Sequence, residues 1–178
     1  MVELIGYHGT LSSNADSIIK TQSFLHSIKD DEWLGPGIYF FLNFELAKRW
    51  AEDKRYREHK ESDKAVVVKT NIFCSENNYL NLDDSEILAQ MDSEFREVLK
   101  AAKLEITLDT PNKRKYAACK YYAEKYNISV ISFTFYRKIR YKAIGFEYYR
   151  PERQICVLDN NVIGKIGYVN EVSQNDSI

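Results

Sequence analysis

The sequence has no charge bias. Lysine and arginine total 25 against 26 aspartates and glutamates, leaving a formal charge of −1 over 178 residues. No global field then draws the chain to nucleic acid or to a membrane surface, so any such binding needs a local patch. Cysteines are few and odd in number (Cys74, Cys119, Cys156) and lack close spacing, which argues against a disulfide framework and against a zinc site. The histidines (His8, His26, His59) are scattered, so a histidine metal cage is not expected either. Apolar runs are too short to span a bilayer. Met1-Val2-Glu3-Leu4 shows no basic stretch followed by an apolar one, so no secretory leader is expected. These absences lead us to expect a soluble cytoplasmic domain with neither metal nor membrane partner.

What is present suffices for a core. Hydrophobic residues at 44% and charged residues at 29% are ordinary for a globular chain, and the length suits one compact domain. No repeat or low-complexity linker interrupts it, so a single domain is expected over 1–170, with a polar tail over 171–178. Leu4 to His8 reads as a short strand. Asn14 to Thr21 reads as a helix capped by Ser12 or Ser13, and Gln22 to Leu34 as a loop. Gly37 to Phe41 reads as a second strand, after the punctuation of Gly35-Pro36-Gly37. Asn43 should cap a helix running to about Arg57. Ala65 to Phe73 is β-branched and reads as a central strand, with a shorter one near Tyr79 to Leu82.

Asp84 to Lys103 has the apolar spacing of an amphipathic helix, and Pro111 opens another that ends near Tyr126-Asn127. Strands are then expected at Ile128 to Phe135, Ala143 to Glu147, Gln154 to Leu158 and Val162 to Val169. Mixed elements early and strands late indicate α+β rather than a doubly wound parallel sheet.

Two N-terminal segments carry the functional reading. The first is Tyr7-His8-Gly9-Thr10, with Asn14 and Ile18 following. The second is Gly35-Pro36-Gly37-Ile38-Tyr39-Phe40-Phe41, with Ala47 and Trp50 following. A third, Gln154-Ile155-Cys156-Val157-Leu158-Asp159, is an apolar strand with a polar residue at its mouth. In order and spacing, over residues 4–51 and again near 154, these segments resemble the poly(ADP-ribose) polymerase-like ADP-ribosyltransferases, including small bacterial mono-ADP-ribosyltransferase toxins. The resemblance implies an ADP-ribosyltransferase-like split β-sheet core with flanking helices. It also implies NAD as co-substrate.

Breaking the nicotinamide–ribose bond of NAD leaves a sugar cation and a neutral base, so the enzyme must clamp the base and expose the anomeric carbon. By the resemblance, Tyr39 stacks on the nicotinamide and Trp50 closes the other side. Gly9 offers backbone N–H and C=O to the carboxamide, where a larger residue would block approach. His8 holds ribose hydroxyls on the adenosine side, Thr10 adds a hydroxyl, and Gly37, Phe40 and Ala47 complete the pocket. Two positions depart from the pattern. Polymerising members carry Glu where Gln154 stands, and an amide can grip a hydroxyl but cannot act as a base. Transfer of single units is the implication. Ala47 occupies a position where many relatives carry Ser, and one hydrogen bond to the carboxamide is lost. Glu152 lies two residues before Gln154, on the same face of an extended strand, where it either activates the acceptor or pairs with a neighbouring Arg.

Phe133 to Lys142, continuing to Arg153, interleaves aromatics with Arg137, Lys138, Arg140 and Lys142. Stacking faces and cations suit single-stranded nucleic acid, an acidic protein would suit them too, and an ordinary hairpin with charged residues outward gives the same string. We therefore expect an NAD-dependent mono-ADP-ribosyltransferase of a toxin–antitoxin or antiphage system. Its acceptor is expected to be nucleic acid, RNA favoured over DNA, and its partner an antitoxin protein. A protein side chain as acceptor, or an inactive NAD- or ADP-ribose-binding module, are the alternatives.

Overall fold

The computed structural model describes residues 1–27, 29, 32–60, 62–102 and 108–169. The expected polar tail over 171–178 lies outside them. Among the described residues the architecture is α+β: one seven-stranded sheet in the order β4-β5-β6-β2-β1-β3-β7, with four α-helices. The strands are β1 (Val2–Leu11), β2 (Ile38–Phe41), β3 (Ala65–Cys74), β4 (Tyr79–Asn81), β5 (Val130–Tyr141), β6 (Phe146–Val157) and β7 (Gly167–Tyr168). The helices are α1 (Ser12–Thr21), α2 (Phe44–Arg57), α3 (Ser85–Ala102) and α4 (Pro111–Tyr126). Among the described strands β4 and β5 run parallel, and the other neighbours are antiparallel.

Each helix buries an apolar side, and α2 and α4 also open on a capping side chain. Asn43 accepts a hydrogen bond from Leu46 N (3.1 Å) at the start of α2. Thr110 accepts one from Lys113 N (3.2 Å) ahead of Pro111 in α4. At α1 the expected serine cap is absent. Leu11 occupies that position, and Ser12 and Ser13 instead donate their hydroxyls to Asp63, which holds the Asp63 carboxyl down at about 2. One sheet face, with α1, buries Ala15, Phe24, Ile38, Phe40, Val68, Ile72 and Ile155. The other carries α2 over Phe41 and Val67 at one end. At the other end Met91 of α3 and Cys119 and Tyr122 of α4 cover Ile131 and Cys156.

Three expected strands are redrawn. Ala143 to Glu147 and Gln154 to Leu158 are not separate: β6 runs unbroken through Pro151, which pairs with Tyr136. β2 meets β6 only from Gln154 to Val157, so the edge beside Pro151 is open. The Arg153 carbonyl, two residues on, accepts from Leu42 N (3.5 Å) on the β2 side, so the proline nitrogen faces that open edge and breaks no ladder bond. The expected strand from Val162 to Val169 shrinks to Gly167–Tyr168, preceded by a 3-10 turn at Asn160–Val162. Its continuation is diverted by Gln22, which donates Nε2–H to the Ile166 carbonyl (3.1 Å) and accepts from Ile166 N (2.9 Å).

Candidate functional site

The three motif segments come together on adjacent strands. β1 carries His8 and Gly9, β2 carries Tyr39 and Phe40, and β6 carries Glu152 and Gln154. Register places Tyr7, Phe41, Gln154 and Phe133 in one row across β1, β2, β6 and β5. Directly opposed residues share a face, so these four point to the side that α2 covers.

Between β1 and β2 the sheet opens. They share one register pair, Tyr7 with Phe41, although continuation of that register would bring Gly9 opposite Tyr39. Instead the Tyr39 carbonyl accepts a hydrogen bond from His8 Nδ1 (2.8 Å). A carbonyl can only accept, so Nδ1 carries the proton and Nε2 keeps its lone pair. Burial, reinforced by the Lys54 charge and opposed by the bond to Tyr39, lowers the His8 pKa and keeps the ring neutral. The ring packs edge-on to Phe24 and Phe40, with centroids 5.2 and 5.8 Å away.

Gly9 presents its backbone to this opening. Its register partner on β3, Val67, gives its carbonyl away from β1, to Val169 N (3.3 Å). Gly9 and Val67 are therefore a pair without mutual bonds, and the Gly9 N–H and C=O point toward β2. Its missing side chain matters on the helix side: a Cβ there would lie 2.0 Å from the Ala47 carbonyl oxygen and 3.1 Å from Ala51 N. Only glycine lets α2 lie this close to the sheet. Gly37 is constrained in the same manner by β6, where a Cβ would meet Cys156 Sγ at 2.5 Å and Val157 O at 2.6 Å.

The remaining motif residues divide between the seam and the core. Trp50 on α2 is exposed, its ring 6.2 Å from Phe41 and beneath the Arg57 guanidinium at 4.9 Å. Ala47 is buried against Phe41 and Val67. Thr10 and Phe40 are each 1% exposed, so neither side chain is presented to solvent. Tyr39 is a core anchor as well as a site residue. Its hydroxyl accepts from Leu34 N (2.9 Å) and donates to Gly35 O (2.7 Å), and burial holds the phenol well above its ordinary value. Alternation along β1 and β2 puts His8, Thr10 and Phe40 on the α1 face, while Tyr39, Gln154 and Trp50 belong to the α2 face. The motif residues thus flank the seam from both faces.

Glu152 forms an ion pair with Arg150, whose Nη2 and Nε lie 2.5 and 3.1 Å from Oε1. The cations read as one patch are split. Arg137 shares a face with Arg150, its register partner, while Lys138 and Arg140 lie on the other and both reach Glu147, at 2.7 and 3.3 Å. Lys142 is exposed in the turn after β5.

Sequence reasoning missed a polar cluster around Arg153. Its Nη2 donates to Tyr79 Oη (3.2 Å), Asn81 Oδ1 (3.1 Å) and Ser132 Oγ (3.3 Å), joining β6, β4 and β5. These partners lie 74, 72 and 21 residues away, and nothing in their local pattern announces them. Among the described residues no three His, Cys, Asp or Glu side chains gather as a metal site, and no helix is long and apolar enough to cross a membrane.

No family model matches the chain, and no solved structure matches it. It is similar to an uncharacterized protein of Methanocaldococcus jannaschii, 24% identical over 188 aligned positions that cover 93% of this chain and 86% of the relative.

Proposed function

We propose that this protein is an NAD-dependent mono-ADP-ribosyltransferase with an ADP-ribosyltransferase-like split sheet, and that its acceptor is nucleic acid, RNA before DNA. The observation that carries the reading is the seam itself. Gly9 turns an N–H and a C=O toward β2 in the stretch where the β1–β2 register has ended. A primary carboxamide needs one donor and one acceptor side by side, which is what such a backbone supplies. Around it stand a neutral imidazole with a free Nε2 for a ribose hydroxyl, the Trp50 ring for stacking, and Gln154 two strands from β1.

In the reaction, the bond from the ribose anomeric carbon to the nicotinamide nitrogen breaks and its electron pair leaves with the neutral base. The acceptor atom attacks that carbon and its proton passes to Glu152, whose Oε1 is held by Arg150 while Oε2 stays outside that pair. Gln154 orients the ribose without supplying charge. The resemblance to small bacterial mono-ADP-ribosyltransferase toxins is what supports a toxin–antitoxin or antiphage setting.

A protein side chain is the second reading. It gains from Glu147, which answers two of the expected phosphate-binding cations, and from the exposed Tyr141, Ile144 and Phe146 at the hairpin tip. The test is incubation of purified protein with NAD labelled in its ADP-ribose half and a cell lysate, followed by nuclease or protease. Nuclease-sensitive label is expected. Protease-sensitive label moves the acceptor to protein, and absence of both label and nicotinamide release leaves an NAD-binding module without transferase activity.

A further inference from the structure

Beyond the seam lies a cavity of about 500 Å³ between α3, α4 and β5, within the size range of small-molecule sites. Its inner wall is made of Leu34, Leu82, Met91, Phe95 and Cys119. Burial pushes the Cys119 thiol up to about 12, so this wall carries no charge at neutral pH. The mouth differs. Trp33, Arg96, Arg114 and Lys115 stand there. Arg96 is answered by Asp92. Arg114 uses Nε on the Leu108 carbonyl (2.8 Å), which leaves its terminal nitrogens, and Lys115 Nζ sits 5.8 Å from the Trp33 ring centroid. Among the described residues neither Arg114 nor Lys115 has a carboxylate partner.

We propose that this cavity is a binding site for an amphipathic anion, a medium-chain carboxylate of the fatty-acid type, with its chain against the inner wall and its carboxylate between Arg114 and Lys115. The two halves of the site decide the class. A nucleobase on this apolar wall could stack on Phe95, Phe133 or Phe135, but its ring nitrogens and exocyclic groups would find no hydrogen-bond partner there, at a cost that stacking does not repay. A neutral hydrocarbon would satisfy the wall but leave the paired cations at the mouth unused. An alkyl chain ending in an anion satisfies both. The inference is independent of the transferase reading, although Phe133 and Phe135 of the same cavity are the register partners of Gln154 and Glu152.

The experiment uses the whole chain and no NAD. Dodecanoate, decanoate and dodecanol compete with the fluorescent anion 8-anilinonaphthalene-1-sulfonate, and isothermal calorimetry confirms the dodecanoate stoichiometry. Dodecanoate is expected to bind saturably at one site and at least tenfold more tightly than dodecanol. Decanoate should be weaker by roughly fourfold for each methylene removed. Lys115→Glu, alone and together with Arg114→Glu, should weaken dodecanoate at least tenfold and leave dodecanol unchanged. Both residues are exposed, and a carboxylate in the opening turns of α4 suits the helix dipole, so the fold is kept. No saturable dodecanoate binding, equal binding of dodecanol, or unchanged binding by the charge-reversed variants overturns the proposal.

Discussion

Along one edge β1 runs through ten consecutive register pairs with β3; along the other it meets β2 at a single pair. The same strand is thus sealed on one side and open on the other. The difference comes from two residues that follow Tyr7. His8 puts its ring on the carbonyl that the ladder would otherwise use, and Gly9 lets α2 settle over the strand with no side chain between them. An edge left open in this way forgoes ladder bonds worth about 1 kcal/mol each and keeps backbone groups for another molecule.

The largest disruption should come from Gly9→Ala. A methyl 2.0 Å from the Ala47 oxygen must push α2 outward, so we expect a loss of about 3 kcal/mol in urea unfolding, together with NAD binding. Gly167→Ala is the control, since a Cβ there meets nothing within 4 Å; it should stay within about 0.5 kcal/mol of the parent. Equal effects at the two glycines would remove the close helix contact from the account.

Tyr39→Phe should come next, at about 1–3 kcal/mol, because it strips a partner from both Leu34 N and Gly35 O.

A pH series sharpens the role of His8. Its native pKa is lowered, so from about pH 6.5 downward the unfolded chain binds more protons than the native one. Stability should be flat in this term above pH 6.5 and fall as the pH drops toward the native value, by at most about 1.4 kcal/mol per unit. His8→Gln should lose that slope. Identical pH profiles for parent and variant would show that the ring is not held neutral at the seam.

The smallest structural effect is expected from Gln154→Glu. NAD affinity should change little, while NAD hydrolysis should rise severalfold, because a carboxylate stabilises the sugar cation better than an amide. Loss of NAD binding would separate Gln154 from the ribose.

Local signals were legible in the sequence and long-range ones were not. The cap at Asn43, the opening proline Pro111 and the β-branched run of β3 each depend on a few neighbouring residues, and their elements formed close to the expected bounds. The motif order also placed the three segments that become neighbouring strands. The seam was not legible, because it depends on a side-chain-to-carbonyl bond across 31 residues. Nor was the Tyr39 hydroxyl's engagement with the turn before it. The shortening of β7 was hidden because Gln22 reaches Ile166 across 144 residues. The arrangement of the cation string from Arg137 to Lys142 was hidden for a simpler reason. Alternation divides it between two faces, and Glu147 on the facing strand is invisible to a reading of one strand.

The central claim is that the open edge of β1 receives the carboxamide of NAD, and the Gly9 amide reports on it directly. Amide exchange and ¹⁵N–¹H chemical shifts should be recorded for Gly9 and for Val68, which lies within the β1–β3 ladder, with and without NAD. The account predicts that Gly9 exchanges faster than Val68 in the free protein, then shifts and becomes protected on adding NAD, while Val68 stays as it was. A Gly9 amide already as protected as Val68, or one that NAD leaves untouched, would contradict it.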